Sequence, residues 1–118
     1  MTEESESIAD AEDVATQCLW RSVRAKLLAR GGRHAEAGAL ARAAIAIIES
    51  AQDPDSQGYA WLDLADVLLM AGRDREAVAA ADEAVRRFEV KANTESAARA
   101  RETRERALAV AVVDTGPA

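Results

Sequence analysis

Hydrophobic positions recur every three to four residues through most of the chain, which is the period of an amphipathic helix. In the segment "AWLDLADVLLMAG", Trp61, Leu64, Ala65 and Leu68 fall on one face of that period. Gly72 ends this helix, because a left-handed residue after the last turn is favourable chiefly for glycine. The pattern predicts five helices, over residues 10–30, 34–50, 55–71, 74–91 and 94–112.

Several helix starts carry their own signals. Pro54 suits the first position of a helix, with Asp53 extended before it. Asp74 is predicted to cap the fourth helix. The fifth helix has two candidate caps, Asn93 and Thr94.

The helical pattern occurs twice in the sequence. The stretch "LLARGGRHAEA" (27–37) returns forty positions later as "VLLMAGRDREA" (67–77), and Gly32 pairs with Gly72 in the alignment. A repeat at fixed spacing without a strand pattern implies stacked helical hairpins. We therefore predict an all-α, short α-solenoid with hairpins at 10–50 and 55–91 and a capping helix at 94–112. A disordered acidic N-terminus (1–9) and a flexible tail (113–118) are expected to flank it.

Composition supports helices and limits the core. Roughly a quarter of the residues are alanine and 3% are aromatic, which favours helix over strand. Small side chains at Ala65, Ala77, Ala81 and Ala84 allow two helices to approach closely. We expect these positions to be structural.

Charge and cysteine content exclude several classes of protein. The formal net charge of -6 disfavours general affinity for nucleic acid or anionic membranes. No run of about 18 apolar residues occurs, and the polar, acidic start does not resemble a signal peptide, so a cytoplasmic protein is expected. Cys18 is the single cysteine, so neither an internal disulfide nor a cysteine zinc cluster is possible.

The segments "WLDLADVLLMAG" and "REAVAAADEAV" resemble the tetratricopeptide repeat. Trp61, Leu64, Ala65, Leu68 and Gly72 stand at that family's spacing, followed by its small residues. The first copy departs from the pattern at Arg24, where leucine is usual, and Glu49 and Glu89 replace the usual proline. More narrowly, "LWRSVRAKLLARGGRHAEAGALARAAIAI" resembles the C-terminal helical region of multidomain actinobacterial regulators. The chain has neither their cyclase nor their ATPase sequence. The resemblance implies protein–protein interaction, without a reaction or a cofactor.

Repeat position predicts a binding surface along the first helix of each pair. Lys26 and Arg30, one helical turn apart, could clamp an acidic peptide or a C-terminal carboxylate. A solvated, ion-paired face is the alternative. The predicted partner-binding residues are Ser22, Lys26, Arg30, Leu62, Asp66, Leu69, Met70 and Arg99, with Ser96 and Thr103 beside Arg99 on the fifth helix.

Other reactive residues have simpler interpretations. His34, the single histidine, stands at a helix start, where a turn residue is expected. Cys18 lies on an apolar helix face and is expected to be buried. No set of nucleophile, base and carboxylate surrounds either residue, so we predict no catalytic site and no metal site.

The fifth helix leaves two questions open. Arg99, Arg101, Arg104 and Arg106 could contact phosphates, which makes nucleic-acid binding in a transcription regulator the alternative function. Interleaved glutamates favour intrahelical pairs instead. The apolar stretch "ALAVAVV" (107–113) should be covered, either by folding back on its own hairpin or by a second copy in a homodimer.

Overall fold

The computed structural model describes the backbone of residues 3–114 and the side chains of residues 14–111. Within these residues the chain forms helices and no strand, which confirms the all-α prediction and the five helices. The helices are α1 (Glu3–Arg30), α2 (His34–Ile48), α3 (Pro54–Met70), α4 (Asp74–Val90) and α5 (Thr94–Asp114).

Helix α1 begins well before the predicted start at residue 10. Residues 3–9, predicted to be disordered, continue the helical backbone of α1. Glutamate is a good helix former, and carboxylates near a helix N-terminus interact favourably with the helix dipole. Helix α5 likewise continues to Asp114, into the predicted tail, while residues 115–118 lie outside the described residues.

The two hairpin turns are closed in the same way. Gly32 and Gly72 are left-handed, with φ of 83° and 75°. After each glycine, the next amide donates back across the turn: Arg33 to Leu28 O and Arg73 to Leu68 O, both at 2.9 Å. The repeated glycine therefore ends the first helix of each hairpin by the same left-handed turn.

The caps were predicted in part. Pro54 is at the start of α3 after an extended Asp53, as expected. Of the two candidates for α5, Asn93 is the cap, because its Oδ1 accepts the Ser96 amide at 3.2 Å. The Asp74 prediction was wrong. The N-cap of α4 is Arg73, since the first helical bond runs from the Ala77 amide to Arg73 O, and Asp74 is already the first helical residue.

The helices stack as two antiparallel hairpins, α1–α2 and α3–α4, with α5 packed on α4 and against α3. Alanines at equivalent repeat positions occupy the core. Ala25 and Ala65, like Ala41 and Ala81, are at most 1% exposed. Their small side chains bring the helix axes close together, as predicted for the second copy.

A contact between successive helices is also repeated. The Trp61 indole Nε1 donates to Glu49 Oε1 at 3.1 Å, and forty positions later Arg101 Nη2 donates to Glu89 Oε2 at 2.5 Å. These two glutamates stand where the resemblance led us to expect proline. Helix α5 therefore packs on α4 in the same way as α3 packs on α2. It occupies the position of the first helix of a third pair.

Candidate functional site

Helices α1, α3 and α5 line one face of the molecule, with a groove between each neighbouring pair. The α3–α5 groove encloses about 610 Å³ and is lined by Leu62, Asp66, Arg99, Glu102, Thr103, Glu105, Arg106 and Ala109. The α1–α3 groove, of about 290 Å³, is more apolar and is lined by Ala15, Cys18, Leu19, Ser22, Ile48, Ser56, Tyr59, Ala60 and Asp63.

The α3–α5 groove brings together three of the predicted binding residues, Leu62, Asp66 and Arg99, together with Thr103. Leu62 and Thr103 are buried, so they form the wall of the groove. Leu62 packs in a cluster with Phe88 and the alanines of α5. Asp66 and Arg99 are more exposed to solvent than Leu62 and Thr103.

The other predicted residues lie elsewhere. Ser22 is buried beside the α1–α3 groove. Lys26 is engaged: its Nζ lies 3.0 Å from Asp63 Oδ1, and both side chains are about a quarter to a third exposed. Binding of an anion by Lys26 and Arg30 would have to compete with that ion pair. Leu69 packs against the core, and Met70 is exposed at the end of α3.

Asp66 is the electrostatic centre of the α3–α5 groove. Burial raises the pKa of its carboxyl above the ordinary value, because water around the charged form is lost. Lys26 is the strongest nearby charge acting in the opposite direction, and Arg106 and Arg99 act with it. The closest ion pair is long, with Arg106 Nη2 4.0 Å from Asp66 Oδ1. Among the described side chains, none makes a short charge-assisted bond to this partly dehydrated carboxylate.

A family comparison accounts for this architecture. The tetratricopeptide repeat model matches residues 15–90, which covers α2, α3 and α4 and most of α1. The chain belongs to the tetratricopeptide repeat family. No curated protein and no solved structure matches the chain significantly.

Tetratricopeptide repeats are typically non-catalytic scaffolds for protein–protein interaction. In the described part of the chain, no three histidine, cysteine or acidic side chains are grouped so as to hold a metal ion. None of the helices there combines the length and apolarity needed to cross a bilayer.

Cys18 and His34 occupy different environments in the repeat. Cys18 is buried in the main core, as predicted, and burial raises the pKa of its thiol above the ordinary value. A hydrogen bond with Ser22 opposes that shift. His34 is exposed as the first residue of α2.

Several basic residues of α4 and α5 are occupied by ion pairs. Arg104 pairs with Asp82 on α4, and Arg101 pairs with Glu89. Arg87 of α4 bridges elements, since its Nη1 donates to Glu49 at 2.9 Å and to Gln57 at 2.7 Å. Much of this charge serves the contacts between helices.

The apolar stretch at 107–113 is divided between core and surface. Ala107 is buried in the main core, which is the fold-back arrangement. Leu108 and Val110 are partly exposed. The side chains of residues 112 and 113 lie outside the described residues.

Sequence reasoning missed one wall of the groove. Glu102, Glu105, Arg106 and Ala109 follow Arg99 at spacings of three, six, seven and ten, which place them along one side of a helix. That periodicity was available in the sequence. It could not show that this side of α5 faces Asp66, because that depends on how α5 packs against α3.

Proposed function

We propose that this tetratricopeptide repeat protein is a non-enzymatic interaction module that binds a peptide segment of a partner protein in the α3–α5 groove. The observation that carries the proposal is Asp66, a carboxylate held in the groove by the fold, whose nearest cation within residues 14–111 is Arg106, 4.0 Å away. A partly buried charge gains most from a ligand that completes its hydrogen bonds.

The charges of the groove indicate the chemistry of that peptide. Asp66, Glu102 and Glu105 provide three carboxylates against the two cations Arg99 and Arg106. This balance favours a lysine or arginine of the partner directed at Asp66. Leu62 and Ala109 offer apolar contact beside it. The proposal replaces the acidic peptide expected at Lys26 with a basic one at Asp66.

Host peptides that differ at one central residue test the proposal. Fluorescence anisotropy would compare labelled alanine-rich peptides with a central Arg, Gln or Glu. We expect the Arg peptide to bind about tenfold more tightly than the Glu peptide, equivalent to about 1.4 kcal/mol. Asp66→Asn should remove most of this preference. Equal binding of all three peptides, or a preference that survives Asp66→Asn, would refute the proposal.

Glu76→Gln is the matched control for that experiment. Glu76 is an exposed carboxylate on α4 that pairs with Arg42 and Arg73, outside the residues lining the groove. Its neutralisation changes the net charge by the same amount as Asp66→Asn. The preference for arginine should therefore persist in Glu76→Gln.

The multidomain bacterial regulators that the sequence resembles would be a suitable setting for such a module. Nucleic-acid contact through α5 has weaker support, because Arg101 and Arg104 already pair with acidic residues of α4. If the protein is retained on a DNA column and the retention decreases as the salt concentration rises, nucleic-acid binding would become the favoured function.

A further inference from the structure

The side chain of Arg106 lies beside the buried carboxylate of the α3–α5 groove. Its Nη2 is 4.0 Å from Asp66 Oδ1 and 3.3 Å from Thr103 Oγ1. Asp66 belongs to α3, whereas Thr103 and Arg106 belong to α5. One guanidinium nitrogen is therefore within reach of an oxygen from each of the two helices.

Thr103 fixes this position of Arg106. The residue is 5% exposed, so its side chain has little freedom to turn. Its hydroxyl donates to Arg99 O at 3.2 Å, one turn earlier on α5. Because the hydroxyl hydrogen is used there, the lone pairs of the oxygen are left to accept a hydrogen bond from Arg106. The guanidinium is held at the groove by this neutral contact as well as by charge.

The contact between Arg106 and Asp66 is weak. The Arg106 side chain is 68% exposed, and its 4.0 Å distance from Asp66 is longer than a charge-assisted hydrogen bond of about 2.7–2.9 Å. An ion pair this exposed contributes little free energy. Lys26 also acts on Asp66, but it is paired with Asp63 at 3.0 Å and is not among the residues that line the groove. Arg106 is therefore the cation that an incoming ligand can displace.

Helix α5 offers the displaced guanidinium another carboxylate. Glu102 lines the groove four residues before Arg106, a spacing at which a glutamate and a later arginine can pair across one helical turn. Among the described side chains no ion pair joins these two residues, because Arg106 is directed at Asp66 and Thr103. A movement of Arg106 from Asp66 to Glu102 would open Asp66 without leaving the guanidinium unpaired.

We propose that Arg106 is an internal competitor in the peptide site: it occupies the position at Asp66 that a basic residue of the partner takes, and Thr103 holds it there. This inference rests on the proposed peptide binding at Asp66. An arginine of the partner can bind the carboxylate through two parallel hydrogen bonds, which is better than the single long contact that it replaces. The affinity of the groove is set by the difference between these two contacts.

Fluorescence anisotropy with the labelled Arg and Gln host peptides tests the competition. Arg106→Gln should bind the Arg peptide about fivefold more tightly than the wild type does, because the competing cation is gone. Binding of the Gln peptide should change by less than about twofold, because this peptide has no cation to compete with Arg106.

Arg86→Gln is the matched control. The Arg86 side chain is also 68% exposed, and it pairs with Glu83 of its own helix at 3.0 Å, outside the residues that line the groove. Its replacement changes the net charge by the same amount as Arg106→Gln. The affinities for both peptides should therefore equal those of the wild type.

Thr103→Val separates the positioning of Arg106 from its charge. Valine has nearly the same shape as threonine and leaves the net charge unchanged, but it lacks the hydroxyl that holds Arg106. The variant should bind the Arg peptide about twofold more tightly than the wild type does. The same substitution should have no effect in an Arg106→Gln background. A gain that persists in that background, or no gain in the presence of Arg106, would overturn the role of Thr103.

Carbon-13 NMR of the Asp66 carboxyl group tests the contact without a peptide. Arg106 lowers the pKa of Asp66, in opposition to burial, because a nearby positive charge favours the carboxylate. Arg106→Gln should therefore raise the pKa of Asp66, and Arg86→Gln should leave it unchanged. An unchanged pKa in Arg106→Gln would overturn the inference, since the guanidinium would then not lie at Asp66.

Failure of the competitor and failure of the peptide site give different results. If the wild type prefers the Arg peptide and Arg106→Gln binds that peptide no more tightly than Arg86→Gln does, the competition is excluded and the peptide site stands. If the wild type does not prefer the Arg peptide, the peptide site is refuted and the inference falls with it.

Discussion

Gly58 gives the sharpest test of how the second repeat packs. A Cβ added at Gly58 would lie 2.6 Å from Phe88 Cε1 and 2.8 Å from two more ring atoms. Phe88 is 0% exposed, and its ring meets Tyr59 edge-on with 4.9 Å between the ring centroids. The ring is confined on both sides, so it cannot tilt away from a methyl group without moving α4 relative to α3.

Two opposing effects set the magnitude for Gly58→Ala. Alanine is a better helix former than glycine in a helix interior by about 1 kcal/mol. Overpacking a filled core by one methyl group costs about 1–3 kcal/mol. We expect the steric cost to prevail and the free energy of unfolding to fall by about 1 kcal/mol.

Gly38 is the matched control, because it occupies the same position in α2 as Gly58 does in α3, four residues after the first residue of the helix. A Cβ there would approach only Arg42 Nη1, at 3.1 Å. That atom is the end of a flexible, half-exposed side chain and can move aside. Gly38→Ala should therefore show the propensity gain alone, raising stability by about 0.5–1 kcal/mol.

Both variants are unfolded in urea while far-ultraviolet circular dichroism monitors the loss of helix. The change in the free energy of unfolding is calculated from the shift of the transition midpoint, provided that the denaturant slope is unchanged. Phe88→Leu removes the ring, so Gly58→Ala should be less destabilising in that background, with a coupling of about 1 kcal/mol. If Gly58→Ala is as stable as Gly38→Ala, the packing of Phe88 on Gly58 has been misread.

Three further predictions concern single residues. Ala92 has a left-handed φ of 55°, so Ala92→Gly should stabilise the protein by about 1 kcal/mol. The melting temperature should rise accordingly. An unchanged or lower melting temperature would mean that Ala92 is not strained. Burial raises the pKa of Asp66, so the folded state holds this proton to higher pH than the unfolded state, and the contribution of Asp66 to stability falls as pH rises from about 4. Asp66→Asn should flatten that fall and exceed the wild-type stability at pH 7 but not at pH 3; a parallel pH profile would contradict this. Cys18 should react with a thiol-specific disulfide reagent at least about tenfold more slowly in the folded protein than in denaturant, and equal rates would exclude a buried thiol.

Local features of the chain were predictable wherever a local rule decides the structure. Gly32 and Gly72 end their helices because the left-handed turn has a strong residue preference that is visible in the sequence. Asn93 caps α5 for a similar local reason. The start of α1 was misjudged because a polar acidic segment resembles a disordered one, although the same glutamates are good helix formers.

Residue type alone did not determine how the residues of the candidate site are arranged. For Lys26 the sequence left two interpretations open, a clamp for an acidic ligand or an ion-paired face, and the structure pairs it with Asp63 on α3. Leu62 was predicted to contact a partner, and it lies in the wall of the α3–α5 groove, packed with Phe88 and the alanines of α5. Both outcomes depend on the distance and rotation between helices that are far apart in sequence.

The sequence by itself determined the helices, their two-fold repetition and the alanine positions of the core, because these follow from helical periodicity, turn chemistry and side-chain size. Only the tertiary structure decided that Asp66 lies in a groove facing Arg99 and Arg106, and that Trp20 and Leu27 are exposed where their repeat equivalents Ala60 and Val67 are buried. The physical reason is that hydrophobic burial is not directional. The pattern of one helix shows which face is buried, but the neighbour that covers this face is chosen by the stacking of the whole array.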